Sequence, residues 1–168
     1  MSTVSLENKT ILVTGAAGFI GSNLVKRIYW EAPSATVIGI DNMNAYYDVA
    51  LKEFRLNELA KYPTFTFVKG NIADKALIRE LFEKYKPAVV VNLAAQAGVR
   101  YSITNPDAYV ESNLVGVILM MTVRQEWSIW YMLLLPLSTV PTRRFRTVQM
   151  TRLITRYRYM QQPRSPMS

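Results

Sequence analysis

Apolar positions come in short blocks that alternate between two periodicities. Thr10-Ile11-Leu12-Val13-Thr14 is a β-branched run that stops at a glycine, which reads as a strand. Phe19 to Trp30 then places Ile20, Leu24, Val25 and Ile28 at helical spacing. The alternation continues with a strand over Thr36–Ile40 ending at Asp41, a helix over Val49–Lys61 and a strand over Thr64–Val68. Asp74 can cap a helix whose apolar residues are Leu77, Ile78, Leu81, Phe82 and Tyr85, and Pro87 ends it. Ala88-Val89-Val90-Val91 is a fourth strand. Asn105-Pro106-Asp107 supplies a cap, a proline at the first helical position and an early acid, so a helix follows to about Met121. The strands are continuous apolar runs, which is the pattern of strands buried on both faces. The expected fold is therefore a doubly wound parallel α/β sheet, Rossmann-like and truncated, ending in a poorly ordered basic tail.

Composition narrows the chemistry. The 168 residues are 50% hydrophobic and 19% charged, which suits a globular core. There is no Cys and no His, so disulfide scaffolds, Cys/His zinc sites, thiol nucleophiles and Ser-His-Asp triads are excluded. No metal site is expected. The formal net charge of +8 is not spread evenly. Residues 1–120 carry 12 Lys+Arg against 11 Asp+Glu, whereas residues 121–168 carry 8 Arg, no Lys and the single acid Glu126. The basicity belongs to the end of the chain. Residues 1–10 are polar and do not read as a secretory signal, and the most apolar stretch, 115–135, is interrupted by Arg124, Gln125 and Glu126. A cytoplasmic protein without a membrane association is expected.

The first strand leads into Thr14-Gly15-Ala16-Ala17-Gly18-Phe19-Ile20-Gly21 and then a helix. Gly15 permits a tight turn, Gly18 lets the backbone approach a diphosphate, and Gly21 lets helix and strand pack closely. The helix N-terminus offers unpaired N–H groups and the positive end of its dipole to an anion. Asp41, at the end of the second strand and 20 residues past Gly21, is placed to accept hydrogen bonds from the ribose hydroxyls of NAD and to repel the 2′-phosphate of NADP. Glycine spacing alone is a weak signal. Its strand–turn–helix setting and the acid at the next strand end favour a dinucleotide site over a ligand-free glycine turn.

The glycine spacing resembles the extended short-chain dehydrogenase/reductase superfamily. Asp41-Asn42-Met43-Asn44-Ala45-Tyr46-Tyr47-Asp48 with Leu51-Lys52, and Asn92-Leu93-Ala94-Ala95-Gln96-Ala97-Gly98-Val99-Arg100-Tyr101-Ser102, look like its nucleotide-sugar epimerase/dehydratase branch, nearest the UDP-glucuronate 4-epimerases. The resemblance covers about residues 8–121. It implies NAD as cofactor, with Gly15, Gly18, Phe19, Ile20 and Gly21 on the diphosphate and Asp41, Asn42 and Asn44 around the adenosine ribose. Asn71 and Ile72 would flank the adenine; Leu93, Ala94, Ala95 and Gln96 would lie along the nicotinamide ribose; and Asn113 would sit beneath the cofactor. Arg100 and Ser102 would face a UDP-sugar. Asn71 stands where the family usually has Asp; the Asn keeps an acceptor and adds a donor. From the residues alone, Gln96, Arg100 and Asn113 read as surface or packing polarity.

After residue 121 the resemblance stops. The family continues with a Ser-rich strand end and Tyr-x-x-x-Lys, in which the tyrosine takes the 4-hydroxyl proton as C4 gives hydride to NAD. This chain has no lysine after Lys86, so that motif is absent and no catalytic residue is expected. It reads instead Arg143-Arg144-Phe145-Arg146 and Arg156-Tyr157-Arg158-Tyr159. An arginine arm with tyrosines for stacking is one reading, making the chain a nucleic-acid binder; a solvated tail is another. A shifted reading frame fits better. Taking the last base of each codon with the first two of the next, Met160/Gln161 must give Ala and Met150/Thr151 must give Asp. The neighbouring junctions permit Tyr-Ala-Ala-Thr-Lys, and back to Leu133 they permit a continuous family-like string beginning Ser-Ser-Ser-Ser-Val-Tyr-Gly. A single-base deletion between about Met121 and Trp127 explains this. It divides the chain into a partial NAD-binding domain, 1–121, and a tail, 122–168, with an accidental strand near 129–135. A catalytically dead NAD-binding module is then the expected behaviour, and a family-type homodimer is not expected.

Overall fold

The computed structural model describes residues 5–46, 48–96, 103–123 and 129–132. Five parallel strands run in the order β3-β2-β1-β4-β5. They are β1 (Thr10–Thr14), β2 (Thr36–Asp41), β3 (Phe65–Lys69), β4 (Val89–Asn92) and β5 (Ile129–Met132). Between them lie α1 (Phe19–Glu31), α2 (Val49–Leu59) and α3 (Lys75–Tyr85). A longer helical segment precedes β5, made of α4 (Pro106–Tyr109), a π-helical stretch (Val110–Val115) and α5 (Gly116–Val123).

The continuous apolar strands are explained by two cores, one on each face of the sheet. Ile11, Val13 and Val37 point to the face covered by Val25, Ile28 and Tyr29 of α1 and Leu59 of α2. Leu12, Ile38, Ile40 and Val90 point to the other, against Ile78, Leu81 and Phe82 of α3 and Met120 of α5. Successive strand residues alternate in direction, so a strand with helices above and below needs an apolar residue at every position.

Local chemistry sets the element ends. The Asp74 carboxylate accepts from the N–H groups of Ala76 (2.9 Å) and Leu77 (3.1 Å), as a cap should. Lys86 closes α3 in the left-handed region (φ 45°), just before Pro87. α2 stops at Leu59, two residues short of the sequence expectation, with Ala60 as its C-cap. The last helix differs most. The expected plain helix from Pro106 to Met121 contains the π-helical turn, a geometry that apolar spacing does not announce. β5 lies in the interval where a strand was expected and pairs with β4, Val89 opposite Ile129 and Asn92 opposite Met132. Residues 133–135 and the arginine-rich remainder fall outside the described residues.

Strand order decides where a ligand can sit. From β1 the chain moves to β2 and β3 on one side, and then returns to β4 and β5 on the other. In an open α/β sheet the ligand crevice lies at such a reversal of strand order, here outside the carboxyl ends of β1 and β4.

Candidate functional site

All of the described candidate residues follow the carboxyl ends of four strands, or lie on the helix behind them. β1 ends at Thr14 and the turn begins. Gly15 has φ +68°, and a side chain there would also meet Ala94 N at 3.0 Å and Leu93 O at 3.1 Å. Two constraints, one conformational and one steric, thus require glycine. Gly15 N–H donates to Ile40 O (2.8 Å) and Gly18 N–H to Gly15 O (3.0 Å), which folds the turn onto the end of β2. At Gly21 a Cβ would collide with Gly15 O, so the first turn of α1 rests on the loop itself. No side chain caps α1. Phe19 and Ile20 are exposed at its first turn. An uncapped helix N-terminus that opens onto a crevice presents backbone donors to an anion.

Asp41 closes the other side. Its side chain is buried, with Oδ2 accepting from Ala17 N–H (3.2 Å) and Oδ1 from Met43 N–H (2.9 Å). Asp41 is therefore tied to the glycine turn. A carboxylate has about four acceptor positions, so two N–H bonds leave capacity for ribose hydroxyls. Lys52 Nζ lies 3.6 Å from Oδ1 and is equally buried. Lys52 also donates to the backbone oxygen and Oδ1 of Asn44, both at 3.0 Å. Asn42 and Asn44 are exposed, and Asn42 Oδ1 accepts from Asn44 N–H (3.1 Å), which shapes the loop after β2.

Thr14 and Asn92 face each other across β1 and β4. Thr14 Oγ1 donates to Asn92 Oδ1 (2.5 Å) and accepts from Leu93 N–H (3.0 Å) and Ala94 N–H (2.9 Å). One buried hydroxyl thus sets the path of the chain as it leaves β4. Ala95 is exposed there and Gln96 is buried. Asn113 holds the far end of this loop: its Oδ1 accepts from Gln96 N–H (2.8 Å) and its Nδ2 donates to Gln96 O (3.0 Å). Asn113 is a clamp on the loop that carries Leu93 to Gln96.

The loop after β3 is tied down in the same way. Asn71 Oδ1 accepts from Ala73 N–H (3.0 Å) and Asn71 Nδ2 donates to Glu111 Oε1 (2.9 Å). The donor that distinguishes Asn from Asp is used against a carboxylate, where Asp would be repelled. The side chain of Ile72 is buried in the core and packs on Gly116, where a Cβ would meet Ile72 Cγ1 at 2.5 Å. Glu111 and Asn113 both lie in the π-helical stretch, so the wide turn carries the anchors of two site loops. Arg100 and Ser102 lie outside the described residues.

The structure brings together Gly15, Gly18, Gly21 and Asp41, which sequence reasoning had singled out. That reasoning did not assign roles to Thr14, Asn92, Lys52, Arg55 or Glu111, which hold that cluster. Arg55 Nη1 donates to Ala17 O (3.3 Å), and its guanidinium lies 6.0 Å from the Phe19 ring centre. Spacing puts Lys52 and Arg55, three apart, on one face of α2, but does not say what that face meets. A surface groove lined by Asn23, Lys26, Arg27, Tyr29, Trp30 and Tyr62 shares no residue with this cluster. Among the described residues there is no group of acids fit to hold a metal, and no helix long and apolar enough to cross a membrane.

The profile of the GDP-mannose 4,6 dehydratase family matches residues 12–139. The chain belongs to that family. Among its relatives, the CapI protein of Staphylococcus aureus is 51% identical over 106 residues, 63% of this chain and 31% of that protein. A UDP-glucuronate 4-epimerase of Thermodesulfobacterium geofontis is 39% identical over 129 residues, 77% of this chain and 39% of the other. In structure, the Bacillus cereus UDP-glucuronic acid 4-epimerase, solved with UDP-glucuronic acid and NAD, superposes with a TM-score of 0.62 at 31% identity. That match covers 68% of this chain and 35% of that one. The matched part of the chain thus spans roughly a third of the length of these relatives.

Proposed function

We propose that this chain is the NAD-binding part of a nucleotide-sugar 4-epimerase of the UDP-glucuronate to UDP-galacturonate type. The observation that carries the reading is the coupled corner. The glycine turn lies under an uncapped α1, and Ala17 N–H joins it to the buried carboxylate of Asp41. The turn offers donors to a diphosphate, and Asp41 offers acceptors to an unphosphorylated ribose. Gly15, Gly18, Phe19, Ile20 and Gly21 would hold the diphosphate, and Asp41, Asn42 and Asn44 the adenosine ribose. Leu93 to Gln96, clamped by Asn113, would line the nicotinamide side, while Asn71 would present the loop that flanks the adenine. The UDP-glucuronate 4-epimerases among the relatives support the substrate class. Bound NAD supplies a hydride acceptor.

The same reading makes the chain as written a binder without turnover. It has no lysine after Lys86, and hence no Tyr-x-x-x-Lys to move the 4-hydroxyl proton. The frame shift between about Met121 and Trp127 accounts for that loss, with the intact protein roughly twice this long. Two measurements test the proposal. NAD should raise the melting temperature of the purified chain, since a ligand at 100 times its Kd stabilises by about 2.7 kcal/mol. Gly15→Ala should abolish that rise while UDP-glucuronate stays unconverted in both. Absence of any NAD effect, or measurable epimerisation, would overturn it. The coding DNA should continue in the adjacent frame as an epimerase past codon 168. A salt-dependent shift of DNA by the chain would instead favour the arginine-arm reading.

A further inference from the structure

We propose that Lys52 sets cofactor selectivity at the ribose. On this view the cation needed by a 2′-phosphate is already built into the site, and Asp41 masks it. The inference rests on the dinucleotide reading above and goes beyond it. A buried ammonium is rarely kept without a partner, and here it has three. Lys52 Nζ donates to Asn44 O and Asn44 Oδ1 at 3.0 Å each, and lies 3.6 Å from Asp41 Oδ1. The last separation is an ion pair too long for a hydrogen bond. The ammonium's third proton is therefore not committed to Asp41. A second cation lies along the same helix face, because Arg55 donates to Ala17 O, and Ala17 donates to Asp41. Arg55, Ala17, Asp41 and Lys52 thus form a connected chain along the edge where the ribose would sit.

The consequence is electrostatic. A phosphate ester carries about −1.5 to −2 at neutral pH. Beside a lone aspartate it is repelled, but beside an aspartate–lysine pair, here 3.6 Å apart, the ammonium offsets part of that repulsion. Selectivity for the unphosphorylated ribose then depends on Asp41 outweighing Lys52, and removing the carboxylate leaves the Lys52 ammonium on its Asn44 hydrogen bonds without a counter-charge. A 2′-phosphate would supply the anion that the protein had lost. One substitution at position 41 should therefore turn the site toward NADP without any new basic residue.

The test measures Kd for NAD and for NADP, by calorimetry, on the full chain and on D41S, K52M and the D41S/K52M double variant. The unaltered chain should prefer NAD. D41S should shift the NAD-to-NADP ratio toward NADP by about 100-fold, and the double variant should lose at least about tenfold of that shift. K52M alone should deepen discrimination against NADP, and K52R should restore the original ratio. A structural role alone would weaken both cofactors together and leave the ratio unmoved. If D41S does not fold, D41N carries the same comparison. The proposal is overturned if D41S shifts the ratio equally with and without Lys52, or if K52M leaves it unchanged. Failure of the unaltered chain to bind either cofactor would instead remove the dinucleotide reading itself, and this proposal with it.

Discussion

Thr14→Val is the sharpest test of how the site is held. The substitution keeps the shape of the side chain and removes only the hydroxyl. In the folded chain that hydroxyl makes three bonds, to Asn92 Oδ1 at 2.5 Å and from the N–H groups of Leu93 and Ala94 at 3.0 and 2.9 Å. Thr14 is fully buried and Asn92 nearly so, which leaves little room for water to replace the lost partner. The buried Asn92 Oδ1 is orphaned at about 1–3 kcal/mol, and the part-buried N–H groups of Leu93 and Ala94 add less, since water can reach them. The expected loss is about 3 kcal/mol. With a urea m-value of about 1–3 kcal/mol/M, the unfolding midpoint should fall by about 1–3 M. Thr14→Ser keeps the hydroxyl and should lose only methyl packing, about 1 kcal/mol. The double variant Thr14→Val with Asn92→Leu should recover part of the loss, because it removes an orphan acceptor together with its donor. Equal midpoints for the Val and Ser variants would refute this account of how β1 and β4 are joined at the crevice.

Two further outcomes follow from single contacts. Asn71→Asp should lower stability by roughly 0.5–1 kcal/mol at pH 7, because it sets a carboxylate against Glu111, and the loss should shrink in high salt; salt-independent melting of the variant would contradict it. Burial raises the Tyr29 phenol above its ordinary value of 10.0, opposed by the hydrogen bond from Thr64. The folded state therefore keeps that proton at a pH where the unfolded chain loses it. The stabilisation is complete below about pH 10 and is lost as pH rises through the folded value. Tyr29→Phe should flatten the fall in stability above pH 10, and a Tyr29 ionisation at or below 10 in an ultraviolet titration would rule the mechanism out.

Sequence alone carried the order of elements, the parallel sheet and the glycine positions of the first turn. Those features are local: strand and helix periodicities differ, capping needs only neighbours, and Gly15, Gly18 and Gly21 lie within seven residues of one another. The acid at position 41 was legible because a strand end is a fixed place. What held these pieces together was not. Thr14 reaches Asn92 across 78 residues, Asn113 reaches Gln96 across 17, and Asn71 reaches Glu111 across 40. Such pairings exist only once the sheet order 3-2-1-4-5 has brought separate loops to one edge. The Asp41–Lys52 pair needed the same step, since a lysine on an exposed-looking helix gives no sign that folding will bury it beside a carboxylate. Periodicity reports which face of an element is apolar; it says nothing about which polar groups meet when those faces are buried, because that depends on distances set between elements rather than within them.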